Sequence, residues 1–409
     1  RIGDDDHERV RRVRGDALTH LLAAQACGVP TVDCGDIDGV GRVAAVLSDL
    51  QPRDVIVDAL LGTGVSRPVA GALADVVAAV NRSAARRLAV DLPSGMDADR
   101  GLPSGSASGG EGGAAAVVVA DWTVTCALPK LGLCGAPGFV YAGEIFVVDI
   151  AIPPALHAQH GVRARLLDGH CVQSRGRPPS PLGHKGSHGH LLIIAGSRGK
   201  SGAALLCTRA ALRTGVGLCT LAAPAAAVDA GLGTAVLEAM SLPYDLPDAM
   251  SDASPADPAL LGHTWLHAAQ GKQALAVGPG LPVHPSVARG LRTLLTTSEL
   301  PALPIVLDAD ALNQLVGHDE VLQTAAQRGH ALVLTPHPGE AARLLRSRVA
   351  DIQADRVAAA QELCRRTGAV ILLKGARTVI CAPPNLVIGD VPPLSICPSG
   401  NDGMGTGGM

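Results

Sequence analysis

Short apolar runs alternate with amphipathic stretches of about a dozen residues along the first part of the chain. Residues 53–60 (RDVIVDAL) and 86–92 (RRLAVDL) have the pattern of buried strands, and residues 69–82 between them have helical periodicity. Residues 114–126 and 144–150 predict two more strands. Strands that alternate with helices favour a parallel sheet with crossover helices. The pattern therefore predicts an α/β fold.

The same rhythm resumes after a stretch rich in proline and glycine between residues 153 and 186, which predicts a linker. We accordingly divide the chain into an N-terminal domain over 1–155, a linker over 156–183 and a C-terminal domain over 184–409. In the last of these the pattern predicts a helix over 202–214 and strands over 190–195, 217–223, 274–277, 304–307, 331–334 and 369–373.

Composition limits the classes of function. The 409 residues are 47% hydrophobic and 17% charged, which is typical of a globular protein, but only 1% are aromatic. A net charge of −3 without a long basic run argues against a nucleic-acid partner, and no charge-free apolar stretch reaches the roughly 18 residues of a membrane span. Ten cysteines without paired spacing indicate a reducing cytoplasm. A chain that starts at Arg1 and stops within a glycine-rich run is expected to be a fragment.

Two common nucleotide-binding motifs are incomplete. The tripeptide Gly199-Lys200-Ser201 resembles the end of a phosphate-binding P-loop, but the required glycine five positions earlier is Ile194. Two G-x-G-x-x-G patterns, beginning at Gly62 and Gly278, lack their third glycine. The sequence therefore does not predict the usual dinucleotide site of an oxidoreductase.

Two carboxylates in the first half end predicted strands. Asp58 leads into Gly62-Thr63-Gly64, and Asp91 leads into Pro93-Ser94-Gly95. Because ligands bind at the carboxyl ends of parallel strands, we expect both acids to face one crevice. The alternative is that each is an ordinary helix cap.

Polar residues follow the strands of the second half in the same way. Asp308 and Asp310 end one strand, and His337 and Glu340 follow the next as an acid/base pair or as substrate clamps. Lys374 follows a third strand beside a glycine, where an ammonium group suits a phosphate.

Taken in order, these segments resemble the bifunctional NAD(P)H-hydrate repair enzymes, in which an NAD(P)HX epimerase is fused to an ADP/ATP-dependent NAD(P)HX dehydratase. The epimerase resemblance lies in DALLGTG (58–64), DLPSGMDADRG (91–101), ADWTVTCALPKLGL (120–133) and VVDIAIP (147–153). The dehydratase resemblance lies in HKGSHGHLLIIAGSRGKSGAALL (184–206), VGPGL (277–281), PIVLDADALNQL (304–315), TPHPGEAARLL (335–345), KGARTVI (374–380) and GNDGMGTGGM (400–409).

The resemblance implies a Rossmann-like three-layer α/β/α epimerase domain followed by a ribokinase-like α/β domain. It implies an isomerase that interconverts (R)- and (S)-NAD(P)HX. It also implies a lyase that dehydrates the S form to NAD(P)H and releases AMP or ADP together with phosphate. The expected partners are NADHX or NADPHX, ADP or ATP, and further copies of the chain in a homo-oligomer.

Site residues follow from the resemblance. For the epimerase it implies potassium ligands at Asp58 and Ser94, a catalytic and substrate-binding Asp91, and a substrate loop of Gly62, Thr63, Gly64, Val65, Ser66, Arg67 and Pro68. For the dehydratase it implies substrate contacts at Ala203, Gly280 and His337. A loop for Mg²⁺-bound ADP or ATP is expected at Lys374, Gly375, Ala376, Arg377 and Thr378.

The sequence departs from this family at two places. It contains no Asn-Asn-Gly-Gly-Asp-Gly loop, which in the epimerases completes the potassium and phosphate site, and it stops at Met409, where the dehydratases continue into a Gly-Asp pair. Two alternatives remain open: a ribokinase-like small-molecule kinase and a nucleotide-binding pseudoenzyme.

Overall fold

A computed structural model describes most of the chain. The described residues are 13–36, 38–105, 116–159, 162, 164–173, 182–246, 260–386 and 392–400. The glycine-rich end over 401–409, part of the predicted dehydratase resemblance, lies outside them.

The first half folds around a parallel sheet of four strands in the order β1-β2-β3-β4. The strands are β1 (Val55–Asp58), β2 (Arg86–Val90), β3 (Trp122–Cys126) and β4 (Glu144–Val148). The described α-helices of the chain up to residue 173 are α1 (Asp16–Ala26), α2 (Gly39–Ser48), α3 (Ala72–Arg82), α4 (Leu131–Cys134), α5 (Gly138–Ala142), α6 (Pro154–Gln159) and α7 (Gly169–Gln173).

The two faces of this sheet differ. Ile56 and Ile145 point to the face where helix side chains form the apolar core. On the opposite face Val57 and Phe146 are 59% and 46% exposed, and Val148 is exposed as well. Parallel sheets are ordinarily covered on both faces. The described part of this half therefore shows the sheet and one of the two predicted helix layers.

The second half is built on a mixed sheet of ten strands in the order β5-β14-β13-β12-β11-β10-β9-β6-β7-β8. The strands are β5 (Ala164–Leu166), β6 (His190–Ile194), β7 (Leu218–Pro224), β8 (Met240–Tyr244), β9 (Ala274–Val277), β10 (Ile305–Leu307), β11 (Leu332–Leu334), β12 (Val370–Leu373), β13 (Thr378–Cys381) and β14 (Leu394–Cys397). The described helices are α8 (Ser201–Arg213), α9 (Ala225–Asp229), α10 (Leu260–Ala269), α11 (Pro285–Thr296), α12 (Asp310–Gln314), α13 (Asp319–Gln327), α14 (Pro338–Leu345), α15 (Val349–Ala354) and α16 (Arg356–Thr367).

Strand β6 shows that this sheet is covered on both faces. Leu192 and Ile194 belong to the large core that includes Trp265 of α10, whereas Ile193 belongs to a second core against α8. All three strand residues are fully buried. A continuous apolar run is what a strand between two helix layers requires.

The predicted strands of the second half all form, and the fold class of parallel-sheet α/β is confirmed. Four strands of this sheet were not predicted, namely β5, β8 and the antiparallel pair β13 and β14. Strand β5 lies inside the predicted linker and pairs with β14 of the second sheet. None of the described helices has both the length and the apolar character needed to cross a membrane.

The strand predicted over 114–126 is shorter than expected and begins only at Trp122. Val117 and Val118 are buried, as their pattern requires, but in a loop. The side chain of Asn81 bonds the carbonyl of Val117 and the N–H of Val119, at 2.9 and 2.8 Å. These backbone groups are therefore satisfied by a side chain of α3 and not by a neighbouring strand.

Candidate active sites of the two halves

The carboxylate that ends β1 is buried against the turn after β2. The Asp58 side chain accepts a hydrogen bond from the Ser94 hydroxyl at 2.6 Å and one from the Ser94 N–H at 2.8 Å. Both residues are almost fully buried. The Ser94 oxygen also accepts the N–H of Leu61 at 2.9 Å, so the loops after β1 and β2 are joined here.

A glycine makes this turn possible. Gly95 has φ +93°, and a Cβ on it would lie 2.1 Å from the carbonyl oxygen of Ala116. The N–H of Ser104 donates a hydrogen bond to the carbonyl oxygen of Gly95 at 2.8 Å. A larger residue at position 95 would therefore displace Ser94 from Asp58.

The predicted substrate loop starts directly beside this pair. Most of its residues, from Gly62 to Pro68, are exposed. Gly62 and Gly64 have open space where a side chain would stand, and the loop ends where Pro68 packs against Gly105. The loop thus borders the Asp58–Ser94 pair and is open to solvent.

Asp91 ends β2 in a conformation that is unusual for a residue with a side chain. Its φ is +69°, a region in which aspartate and asparagine are the commonest non-glycine residues. Its Oδ1 accepts hydrogen bonds from the Thr125 hydroxyl at 3.2 Å and from the Cys126 N–H at 3.1 Å. The Lys130 ammonium forms a salt bridge with the same oxygen.

These contacts set the charge of Asp91. Partial burial raises the pKa of Asp91, but the bond from Lys130, the Cys126 N–H and the Thr125 hydroxyl together outweigh burial. The pKa of Asp91 therefore lies below its ordinary value, and the group is a carboxylate at neutral pH.

The two acids of the first half have different hydrogen-bond partners, and their sharing of one crevice stays a prediction. Asp58 turns to the loop after β2, whereas Asp91 turns to the end of β3 and to Lys130. Lys130 lies within the family segment over 120–133, but the sequence analysis predicts no role for it. A signal existed, since it is one of only five lysines in the chain and follows a predicted strand by four residues.

In the second half, glycines bring two predicted substrate positions together. A Cβ on Gly280, at φ +69°, would lie 2.6 Å from the Lys200 carbonyl and 3.4 Å from the Ala203 side chain. The Ser197 hydroxyl donates to the Gly280 carbonyl at 2.8 Å. The loops after β6 and β9 are therefore in contact, which is compatible with the predicted shared role of Ala203 and Gly280.

A second polar cluster lies at the ends of β10, β11 and β12. Lys374 Nζ is 2.7 Å from Asp308 Oδ1 and 4.0 Å from Glu340 Oε2. The Thr335 hydroxyl donates to the same Asp308 oxygen at 2.7 Å. The strands place Lys374 and Asp308 together although 66 residues separate them.

His337 and Glu340 have a structural task in addition to any chemical one. His337 Nδ1 accepts the N–H groups of Gly339 and Glu340, and Glu340 Oε2 accepts the His337 N–H at 2.8 Å. This reciprocal pair is a capping box at the start of α14. Since Nδ1 accepts, the proton lies on Nε2, which is 3.4 Å from Glu340 Oε1.

A buried arginine donates hydrogen bonds to the backbone at the start of the predicted nucleotide loop. Arg356 NH2 donates to the carbonyls of Leu373 and Lys374, both at 3.0 Å. Arg356 is 6% exposed, and burial lowers the pKa of its guanidinium. Within the loop, Arg377 does not point back to the lysine but lies 4.9 Å above the ring of Phe139 in the first half.

Comparisons with known proteins decide the family. A family model described as NAD(P)H-hydrate dehydratase matches residues 191–409, and one described as YjeF-related protein N-terminus matches residues 8–132. The chain is 38% identical to the bifunctional NAD(P)H-hydrate repair enzyme of Moorella thermoacetica over 98% of its own length and 69% of that protein's length. It belongs to the bifunctional NAD(P)H-hydrate repair enzymes.

The chain is also similar to a second repair enzyme and to a solved structure. The repair enzyme of Leishmania major is 35% identical over 100% of this chain and 72% of that protein. A crystal structure of the ADP/ATP-dependent NAD(P)H-hydrate dehydratase from Bacillus subtilis, obtained with ATP and Mg²⁺, is 29% identical. The superposition covers 60% of this chain and 76% of the Bacillus subtilis chain, with a TM-score of 0.46.

Membership of the repair-enzyme family confirms the recognised resemblance and the pairing of an epimerase with an ADP-dependent dehydratase. The individual roles of the site residues stay predictions. Among the described residues, no three histidine, cysteine, aspartate or glutamate side chains converge in the way a transition-metal site requires.

Proposed function

We propose that this chain repairs hydrated nicotinamide nucleotides at two separate sites. The first half interconverts (R)- and (S)-NAD(P)HX, and the second dehydrates the S form to NAD(P)H at the expense of ADP or ATP. The observation that carries the proposal is that each sheet has a lysine–carboxylate cluster at the carboxyl ends of parallel strands, in a chain that belongs to the repair-enzyme family.

Asp91 is the proton carrier of the epimerase. Inversion at C6 requires a bond at that carbon to break and to form again on the opposite face, and the oxygen on C6 must lose and regain a proton. A carboxylate that is ionised at neutral pH can accept that proton and return it. The exposed loop from Gly62 to Pro68 would hold the nucleotide part of the substrate.

The oxygen atoms around Asp58 fit a potassium ion. The buried Ser94 hydroxyl lies 2.6 Å from the Asp58 carboxylate and 3.3 Å from the Leu61 carbonyl oxygen. Hard oxygen donors with a single negative charge suit an alkali cation. Asp58 and Ser94 would hold the ion, which would balance the negative charge of a bound phosphate.

Lys374 is the phosphate-binding group of the dehydratase. Phosphoryl transfer to the C6 hydroxyl, followed by loss of phosphate, depends on positioning and on neutralising charge. The loop from Lys374 to Thr378 would hold the adenine nucleotide. Mg²⁺ would arrive with the nucleotide, whose phosphates supply most of its ligands, and the carboxylates of Asp308 and Asp310 stand at the same edge.

We propose that the protein acts on the hydrated nucleotides in the cytoplasm. Ten cysteines without paired spacing in the sequence support a reducing compartment.

A single assay tests both activities. The purified chain is supplied with a mixture of (R)- and (S)-NADHX, Mg²⁺, K⁺ and either ADP or ATP, and formation of NADH is followed by absorbance. We expect recovery of the whole mixture, dependent on the nucleotide. Recovery of only the S portion would contradict the epimerase assignment. Nucleotide binding without recovery would favour the pseudoenzyme, and accumulation of a phosphorylated alcohol would favour the kinase.

A further inference from the structure

We infer that Lys130 is a positioning residue of the epimerase site, which fixes Asp91 through its Oδ1 and leaves Oδ2 as the reacting oxygen. The inference deepens the proposed epimerase function and rests on it. It concerns a residue to which neither the family segments nor the sequence pattern gave a role.

All described hydrogen bonds to the Asp91 side chain converge on one oxygen. The Thr125 hydroxyl, the Cys126 N–H and the Lys130 ammonium all reach Oδ1. Within the described part of the chain, Oδ2 has no hydrogen-bonding partner. The two oxygens of the carboxylate are therefore unequal, with one held and the other available to a substrate.

Lys130 has no donor left for a substrate. Besides Asp91, its ammonium reaches the Thr125 hydroxyl at 3.0 Å and the Cys126 carbonyl at 3.0 Å. An ammonium group has three N–H donors, and three acceptors occupy them. Lys130 thus acts through Asp91, in contrast to a lysine that binds a ligand directly.

Packing on its C-terminal side holds Lys130 in place. Helix α4 begins at the next residue, and the N–H of Gly132 donates to the Ala98 carbonyl at 2.7 Å. A Cβ on Gly132 would lie 2.5 Å from the Asp97 carbonyl oxygen, so the turn over 97–101 and the start of α4 touch through backbone. The second part of the DLPSGMDADRG segment therefore supports the lysine that holds the aspartate at its beginning.

The charge of the pair depends on this contact. Lys130 provides the ion pair that Asp91 makes among the described residues, and the pKa of Asp91 is lowered despite partial burial. The other two donors, the Thr125 hydroxyl and the Cys126 backbone N–H, carry no charge. Removal of the ammonium group should therefore raise the pKa of Asp91, because burial disfavours the carboxylate and only the two neutral donors would still stabilise it.

The experiment replaces Lys130 by methionine, which keeps the length of the side chain without donors or charge, and by arginine, which keeps the charge. In Lys130→Met we expect the acid limb of the epimerase pH profile to move to higher pH. We also expect kcat to fall about 10- to 100-fold with KM little changed. Lys130→Arg should restore part of kcat and most of the acid limb. Lys272→Met, which removes a lysine of the second half, is the matched control.

A second measurement is independent of activity. The Asp91 carboxyl is titrated by carbon NMR, its signal identified by its loss in Asp91→Asn, and the pKa should rise in Lys130→Met and, to a smaller extent, in Thr125→Val. An unchanged Asp91 titration in Lys130→Met would overturn the inference. So would a large loss of kcat with an unmoved acid limb, because Lys130 would then act on the substrate. If the titration shifts but the wild-type chain does not epimerise NADHX, the positioning role stands and the proposed function fails.

Discussion

Each half of the molecule carries a lysine–aspartate pair at the carboxyl ends of parallel strands, but the two lysines have different surroundings. Lys130 is 21% exposed and has an acceptor for each of its three donors. Lys374 is 42% exposed, with Asp308 at 2.7 Å and Glu340 at 4.0 Å, which is beyond hydrogen-bond distance.

In the proposed function, this difference separates a lysine that prepares a carboxylate from a lysine that would receive a ligand. An ammonium group whose three donors are occupied fixes its neighbour and lowers that neighbour's pKa, whereas one with fewer partners among the described residues can bind a phosphate oxygen. We therefore propose that the same pair of residue types serves proton transfer in one half and nucleotide binding in the other.

The largest effect is expected when the first pair loses its carboxylate. Asp91→Asn should lower the rate of R/S interconversion about 100- to 10,000-fold, because the amide cannot accept the proton. Asparagine tolerates the positive φ of this position, so the fold should persist. Chromatographic separation of the two epimers measures the rate. Dehydration of (S)-NADHX should be unchanged, and so should epimerisation by the surface variant Asp75→Asn. Undiminished interconversion in Asp91→Asn would contradict the assignment.

Loss of the second lysine tests the other side of the comparison. Lys374→Ala should weaken ADP binding about 10- to 100-fold, which corresponds to about 1.4–2.8 kcal/mol, and should spare epimerisation. Calorimetric titration with Mg²⁺-ADP measures the affinity, and Lys185→Ala in an exposed turn is the matched control. Equal loss of both activities would count against two separate sites.

Arg356 tests whether the nucleotide loop depends on its buried support. Arg356→Met leaves the carbonyls of Leu373 and Lys374 without their donor, which should lower the free energy of unfolding by about 1–3 kcal/mol. Denaturant titration measures it. Arg348→Met removes an ion pair on the surface and should cost much less. An equal cost for the two variants would show that Arg356 does not anchor the loop.

The smallest expected effect concerns pH and lies away from both pairs. Burial lowers the pKa of His330, while a bond to the Leu303 backbone opposes burial in part. The unfolded chain therefore binds more protons than the folded one, and stability falls as the pH drops through about 6.5, the ordinary histidine value. The shift of the unfolding midpoint between neutral and mildly acidic solution should be smaller in His330→Asn than in the wild type. No difference would rule out this contribution, and the exposed His318→Asn is the control.

The comparison also shows how far the sequence reaches. The strand ends of β1, β2, β10 and β12 were predicted together with the polar residues that follow them, because buried strands have apolar runs that polar turns interrupt. Asp91 and Lys374 were therefore found from sequence. The two ion pairs were not predicted, since Lys130 lies 39 residues after Asp91 and Asp308 lies 66 residues before Lys374.

Prediction from the local sequence pattern was wrong where a side chain, and not a neighbouring strand, bonds the backbone. The apolar run over 114–121 has strand character, but Asn81 takes the hydrogen bonds that a neighbouring strand would take. Likewise, His337 and Glu340 suggested acid/base chemistry, whereas the structure also uses them to cap α14. In both cases the decisive hydrogen bond depends on a geometry that the residue pattern does not encode.

The sequence by itself predicted the two α/β units, the family and a set of candidate site positions, because periodicity, motif order and strand-end polarity can be read along the chain. Only the tertiary structure decided which oxygen of Asp91 is held, which lysine is saturated and which face of the first sheet is covered. Those outcomes depend on distances between segments that are remote in the chain, and a hydrogen bond extends over about 3 Å.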